Sequence, residues 1–408
     1  MYSLKNKRNL RNTTYDKCIK NILSPQIKVL HVVPTFYPAT YFGGPVFSLY
    51  GLCNALSRMD GTELRVLTTD SNGPRWQDHL DIQSVPTRRP EGYEVYYCRK
   101  WWGREFSGQL LSMLYPMIRW ADVVHLTSVY SFSTIPALLL CRLLRKPVVW
   151  SPRGALQRWE GSTKPILKRI WEIICNGLLS PSRCVLHVTS NDEAEESRRR
   201  ITRARVEVVE NGVDIPSNVS NHRSWMPGGA LRLLFIGRLD PKKGIENLLQ
   251  ALKMLDERVS LTICGTGESS YESSLQALSN DLGLAQRACF SGHAEGEVKS
   301  RAFWNADVCV VPSYTENFAM VVAEALAHGV PVIASRGTPW KELTQRGCGL
   351  WVQNDPASLV KAIAEMRGLN LSQMGENGRQ WMEESFSWEA VAGRTHAIYT
   401  RLIAETTS

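Results

Sequence analysis

The stretch from Asp307 to Ala334, DVCVVPSYTENFAMVVAEALAHGVPVIA, decides how the rest of the chain is read. Val308 to Val311 is a short, mostly β-branched run stopped by Pro312, the pattern of a buried parallel strand. Asn317 stands where a helix needs a cap, and Gly329 with Pro331 ends that helix before a second strand over Val330 to Ala334. Two carboxylates are spaced along the stretch, Glu316 in the loop and Glu324 in the helix, eight positions apart. At helical rise that is roughly 12 Å, too far for both to act on one bond and suited to opposite ends of an elongated ligand. Between them a helix N-terminus offers free N–H groups and a positive dipole end, a natural place for phosphate. A carboxylate for hydroxyls, an anion cradle and a second carboxylate together suggest a nucleotide sugar.

Strand and helix patterns alternate outward from this stretch. Upstream, a strand over Leu231 to Ile236 runs into Gly237-Arg238 and Lys243-Gly244, then a helix over Ile245 to Leu255. Arg238 can grip a diphosphate with two hydrogen bonds and Lys243 as a point charge. No GxxxxGK[ST] run is present, so this is not a Walker loop. Gly265-Thr266-Gly267 closes the next strand, and Gly292-His293 the one after; His293 is either a contact for a base or an incidental loop histidine.

The first half starts with a strand over Ile27 to Val33, then Gly43-Gly44 and a helix over Val46 to Arg58. Paired glycines between a first strand and its helix let a ligand approach the backbone closely. A nicotinamide site has little support, because the full GxGxxG and its acidic partner are missing. Residues 70 to 120 look irregular, with Trp76, Trp101 and Trp102 among arginines, a mixture that suits loop packing or the stacking of sugars. His125 in one strand, and Arg153 just after another, fall where an open α/β sheet faces its crevice; each also has a plain structural reading. Lys164 to Leu179 places Ile166, Leu167, Ile170, Trp171 and Ile174 on one helical face beside Lys164, Lys168 and Arg169. That face reads as an ordinary packing surface or as a helix lying on an anionic membrane.

With 408 residues, two domains of roughly 200 residues are expected. Hydrophobic content of 43% and charged content of 21% describe a folded globular chain, and the net charge of +9 suits an anionic partner. Nucleic acid is not expected as that partner, since neither an aromatic RNA-binding motif nor a zinc pattern occurs. The ten cysteines form no CxxC pair and read as reduced thiols of a cytosolic protein. No transmembrane run or signal peptide is visible.

The ordered set Gly237-Arg238, Lys243-Gly244, Gly265-x-Gly267, Gly292, Glu316-Asn-Phe, Glu324-Ala-Leu and Gly329-Val-Pro331 resembles the family 4 glycosyltransferases. The Asn211-Gly212-Val213-Asp214 turn and the closing helix with Trp388 and Tyr399 resemble the same family. The resemblance runs from Ile27 onward and implies a GT-B α/β fold, two facing Rossmann-like domains with a cleft between them. The polar, basic run at 1–25 reads as a disordered extension or an arm for acidic lipid headgroups, and the polar run at 216–229 as a linker. The resemblance adds an acceptor domain at 26–215, a nucleotide-sugar domain at 230–385, and a final helix at 386–408 returning to the first domain. By resemblance, Arg238 and Lys243 hold the diphosphate and Glu324 the ribose. Glu316 meets the transferred sugar with the N–H groups of Phe318 and Ala319, and Asn317, Gly43, Gly44, Gly265, Gly267 and His293 complete the donor site. His125 is placed as a catalytic contact and, with Arg153, on the acceptor side.

The family retains anomeric configuration without a metal, and no DxD triplet stands here, so no cofactor is expected. The implied activity is transfer of a hexose-type sugar from a UDP- or GDP-sugar to a glycan, lipid-linked, in cell-surface polysaccharide assembly. The implied location is the cytoplasm or the cytoplasmic face of the inner membrane. A sugar-nucleotide epimerase, a phosphorylase and a non-catalytic binding protein are the alternatives. Ala319 departs from the glycine more usual in the family, and Thr127 from a second histidine.

Overall fold

The computed structural model describes residues 26–82, 85–103, 105–157, 164–217 and 230–407. The basic segment 1–25 and most of the expected linker lie outside the described residues. The chain divides into two compact units, residues 1–188, 193–209 and 392–408 in the first, residues 189–192 and 210–391 in the second.

Among the described residues of the first unit, eight strands form one sheet. They are β1 (Ile27–Val32), β2 (Thr62–Thr69), β3 (Thr87–Arg88), β4 (Glu94–Cys98), β5 (Val123–Thr127), β6 (Val148–Ser151), β7 (Cys184–Val188) and β8 (Arg205–Val208), in the spatial order β3-β4-β2-β1-β5-β6-β7-β8. Pairing is parallel except at the β3–β4 edge. β5, β6 and β7 are buried along their whole length, as helix-covered parallel strands must be. The core joins Leu30, Leu67, Val124, Leu126, Trp150 and Leu186 of the sheet to Leu110, Leu114, Ile118 and Leu138 of the covering helices.

The second sheet holds β9 (Leu231–Ile236), β10 (Val259–Cys264), β11 (Ala288–Gly292), β12 (Val308–Val311), β13 (Val332–Ser335) and β14 (Gly349–Val352), all parallel, in the order β11-β10-β9-β12-β13-β14. Strand order reverses between β9 and β12, so loops at the carboxyl ends of these two strands diverge and leave room for a ligand.

One segment differs from the sequence reading and a second adds to it. Residues 70–120 contain β4 and a helix at Gly108–Trp120, which the interior Pro116 disguises and which Ser107 caps by accepting from Leu110 N at 3.2 Å. Leu371–Ser385 is also helical despite Gly375 and Gly378. A Cβ at Gly375 would fall 2.2 Å from the Gly329 carbonyl oxygen, and one at Gly378 would fall 2.7 Å from Leu326 Cδ2. These glycines let that helix pack tightly on the Met320–Ala327 helix, behind the candidate site.

Candidate active site

The loops that leave β9 and β10 are laced together by backbone hydrogen bonds. Gly237 N donates to Cys264 O at 3.0 Å, Leu239 N to Thr266 O at 3.0 Å and Gly265 N to Gly292 O at 2.6 Å. A Cβ at Gly265 would meet Gly237 O at 1.8 Å and one at Gly267 would meet Leu239 O at 2.0 Å. Backbone approach within the protein therefore accounts for both glycines, whereas a Cβ at Gly292 would meet nothing within 4 Å.

The loop after β9 carries the first basic group. Asp240 caps a 3-10 turn at Pro241–Lys243, and Gly244 leaves it in the left-handed conformation at φ 63°. A Cβ at Gly244 would lie 2.3 Å from Pro312 O, so only glycine lets this turn sit against the end of β12. Tyr314 N donates to Lys242 O at 2.8 Å, tying the two loops. Their side chains meet: Lys243 Nζ donates to Glu316 Oε1, and Ser313 Oγ donates to the same oxygen at 2.9 Å. Glu316 N donates to Gly337 O at 2.8 Å, which fixes the loop from behind. Arg238 is exposed and makes no ion pair among the described residues. Ser313 and Gly337 were not legible as site residues, since neither belongs to a spaced pattern.

The helix between the glutamates starts later than the sequence reading has it, at Met320. Asn317 does not cap it; its Nδ2 donates to Thr189 Oγ1 at 3.1 Å. Ala319 takes the N-cap position in the left-handed conformation at φ 60°. Phe318 is held in an aromatic cluster, its ring 5.2 Å from that of Trp340, whose Nε1 donates to the Phe318 carbonyl. The cluster pins the backbone that presents the helix N-terminus. Further along, Glu324 Oε1 accepts from Lys299 Nζ at 2.6 Å. Lys299, on the Gly296–Trp304 helix, was missed because a single lysine on a charged helix carries no sequence signal. His293 is exposed, and its Nε2 lies 3.5 Å from Glu295 Oε2, too far for a firm bond.

In the first unit, the candidate polar residues form a sealed network. His31 and His125 sit side by side in register on β1 and β5, their rings 4.4 Å apart. His125 Nδ1 lies 2.6 Å from the Tyr399 hydroxyl and Nε2 lies 2.7 Å from Ser151 Oγ, which is 3.1 Å from His187 Nδ1. His187 Nε2 reaches Val209 O at 2.9 Å, and Tyr399 Oη lies 3.3 Å from His31 Nε2. All three histidines are fully buried. Burial, reinforced by the Arg153 charge, pushes His31 and His187 down to about 3. Burial and then the other two histidines lower His125 as well. Both ring nitrogens of His125, expected as a catalytic contact, are engaged inside the unit. Arg153 is half-buried with φ 53°, and Glu193 Oε1 fixes its loop by accepting from Gly154 N at 2.5 Å. Gly43 has φ 70° and ψ −142°, a conformation reserved for glycine, at the start of the Gly44–Ser57 helix; a Cβ at Gly44 would meet nothing within 4 Å.

Among the described residues no His, Cys, Asp and Glu side chains group as metal ligands. No described helix is long and apolar enough to cross a membrane.

Two Rossmann-like units with parallel sheets, the second bearing lysine–carboxylate pairs on the loops and helices that follow its strands, fit the GT-B glycosyltransferase fold. The family model described as Glycosyl transferases group 1 matches residues 223–381, and that described as Glycosyltransferase Family 4 matches residues 42–216. The D-inositol 3-phosphate glycosyltransferase of Xylanimonas cellulosilytica is 35% identical over 347 residues, 76% of this chain and 80% of the relative. The chain belongs to the family 4 glycosyltransferases. Several other curated relatives are matched over 44% to 65% of their length. The chain spans 65% of an uncharacterized glycosyltransferase of Methanocaldococcus jannaschii, at 27% identity over 55% of this chain. Among solved structures, Anabaena HepE in complex with UDP superposes with a TM-score of 0.69 at 15% identity, covering 92% of this chain and 100% of that one. The lipopolysaccharide outer core galactosyltransferase WaaB gives 0.66 at 18% identity, covering 92% and 100%.

Proposed function

We propose that this glycosyltransferase moves a hexose from a UDP- or GDP-sugar to a lipid-linked glycan, with retention, during cell-surface polysaccharide assembly. The observation that carries the donor assignment is the pair of half-exposed lysine–carboxylate contacts, Lys243 with Glu316 and Lys299 with Glu324, at the two ends of one short stretch. HepE, solved with UDP, and the galactosyltransferase WaaB support the choice of donor class and acceptor class.

Arg238 and Lys243 take the donor diphosphate, Lys243 exchanging its carboxylate partner for phosphate oxygen. Glu324 accepts from the ribose hydroxyls. Glu316, freed from Lys243, accepts from hydroxyls of the transferred sugar, and the N–H groups of Phe318 and Ala319 face the same group. The bond between the anomeric carbon and the phosphate oxygen breaks as the acceptor oxygen bonds the same face of that carbon. The acceptor proton passes to the departing phosphate oxygen. Negative charge grows on that phosphate, and two positioned cations stabilise it most in the transition state, the role that a metal ion fills elsewhere. Such a reaction needs no metal or other cofactor.

The test incubates the full chain with UDP- and GDP-hexoses and a membrane extract of lipid-linked glycans. Acceptor-dependent nucleotide release, with a product whose anomeric configuration matches the donor, is expected. Nucleotide release with a free, altered sugar and no acceptor dependence would identify an epimerase instead. Release from no donor would overturn the reading.

A further inference from the structure

The Pro165–Leu178 helix is built the wrong way round for a packing helix. Its carboxylate, Glu172, is buried, held by the Tyr130 hydroxyl at 2.5 Å and lying 3.7 Å from Arg200. Its aliphatic residues point outward: Ile166 is 75% exposed, Leu167 61%, Ile170 50%, Ile173 62% and Ile174 44%. Positions 166, 170, 173, 174 and 177 fall on one stripe at helical spacing, and that stripe is solvated. The neighbouring Thr134–Leu143 helix adds exposed Leu139 and Leu143, and its Arg142 donates to the Gly177 carbonyl, joining the two helices.

A second apolar group lies beside the first. Trp101 and Trp102 are 62% and 77% exposed on a loop closed by the Trp101 N to Phe106 O bond of 2.8 Å. The ring of Phe106 lies 5.3 Å from that of Phe132, while Trp171 Nε1 donates to Val129 O at 2.8 Å. The aromatic loop and the aliphatic stripe are therefore mounted on the same segment, residues 129–132.

The rim is basic. Lys164 and Arg169 are exposed on the helix, Arg142 and Arg145 at the end of its neighbour, and Arg99 at the foot of the tryptophan loop. Among the described residues Glu172 is buried beneath the helix and Glu105 is half-buried, while on the adjoining Asn191–Arg200 helix Glu195 and Glu196 are offset by pairing with Arg199 and Arg200.

We propose that this face of the first unit docks on an anionic lipid bilayer. Fourteen residues rise about 21 Å, too short to span a hydrocarbon core of about 30 Å, so the helix lies flat with its aliphatic stripe among the acyl chains. Trp101 and Trp102 sit at headgroup depth, where an amphipathic indole is most stable, and the basic rim meets lipid phosphate. A two-fold contact with a second copy would bring one basic rim against another, which the bilayer avoids.

The test is co-sedimentation of the full chain with phosphatidylglycerol/phosphatidylcholine vesicles and with pure phosphatidylcholine vesicles. Wild type is expected to bind the anionic vesicles, weakly the neutral ones, and less as salt rises. Replacing Ile170 and Ile173 together by Asp should lower binding to the anionic vesicles at least about tenfold, since both side chains leave the acyl region. Lys164→Glu with Arg169→Glu should lower binding to anionic vesicles and leave the weak neutral binding unchanged. All four positions are exposed, so circular dichroism and melting should match wild type. Three results overturn the proposal: no vesicle binding by wild type, unchanged binding by the Asp double variant, or a lipid-free dimer that this variant dissociates. No sugar enters the assay, so its failure leaves the catalytic reading standing.

Discussion

Both units place polar side chains at or near the carboxyl ends of parallel strands, yet they treat them in opposite ways. In the second unit the side chains of Lys243 and Glu316 keep 17% and 12% of their exposure, and those of Lys299 and Glu324 keep 31% and 24%. In the first, His31, His125 and His187 keep 1% or less, pack ring against ring, and hydrogen-bond through their ring nitrogens to Ser151, Tyr399 and the Val209 carbonyl. A half-exposed ion pair keeps water on one side and can trade its partner for a ligand's charge at small cost. A sealed neutral network cannot, because opening it strands several buried polar atoms at once. Exposure, more than residue type, separates the two roles.

Lys243→Ala should break the comparison most visibly. It removes one of the two cations meant for the leaving phosphate, and kcat at saturating donor should fall about 10²–10³-fold. A fall of less than threefold would remove Lys243 from the chemistry. Glu324→Ala should act on binding instead. Losing charged hydrogen bonds to ribose, about 1.5–3 kcal/mol, should raise donor KM roughly 10–100-fold while kcat changes little.

Tyr399→Phe probes the sealed side. It deletes the hydroxyl shared by His125 and His31 and should cost about 1–2 kcal/mol of stability in urea unfolding, with donor KM unchanged. A shifted KM would join this network to the donor site. The same network sets a pH dependence. Folded His31 and His187 titrate near 3, pressed down by burial and the Arg153 charge, against an ordinary value of 6.5. The unfolded chain therefore binds more protons below pH 6.5. Stability should be fully present above that value and fall progressively as pH drops toward 3, read as a declining melting temperature. His31→Gln should flatten part of that decline.

Ala319→Gly is expected to have the smallest effect. A left-handed alanine is strained by about 1–2 kcal/mol, and glycine returns part of that through its larger unfolded-state entropy. A net gain below about 1 kcal/mol should follow, and a loss would mean that the methyl group packs usefully against the loop.

Much of this was legible in the sequence. The strand at Val308–Val311 and the glycine-bounded loops could be read because parallel strands buried on both faces are near-continuous apolar runs. The order of motifs from Arg238 to Glu324 then led to the family. What stayed hidden depends on contacts between distant segments. The partner of Glu324 is Lys299, 25 positions earlier, and the close contacts of Gly375 and Gly378 with Gly329 and Leu326 join segments far apart in the chain. Asn317 looked like a cap because its type suits one, yet it spends its amide on Thr189. The isoleucines of the Pro165–Leu178 helix looked equally fit for a core, and only their outward direction distinguishes a packing face from a docking one.

The most direct test of the central claim, that the stretch from Glu316 to Glu324 binds the donor nucleotide, is a melting titration with UDP and GDP on wild type and Glu324→Ala. One nucleotide, at a hundred times its Kd, should stabilise wild type by about 2.7 kcal/mol. The variant should need at least about tenfold more of it for the same shift. Equal shifts in both proteins, or none with either nucleotide, would contradict the account.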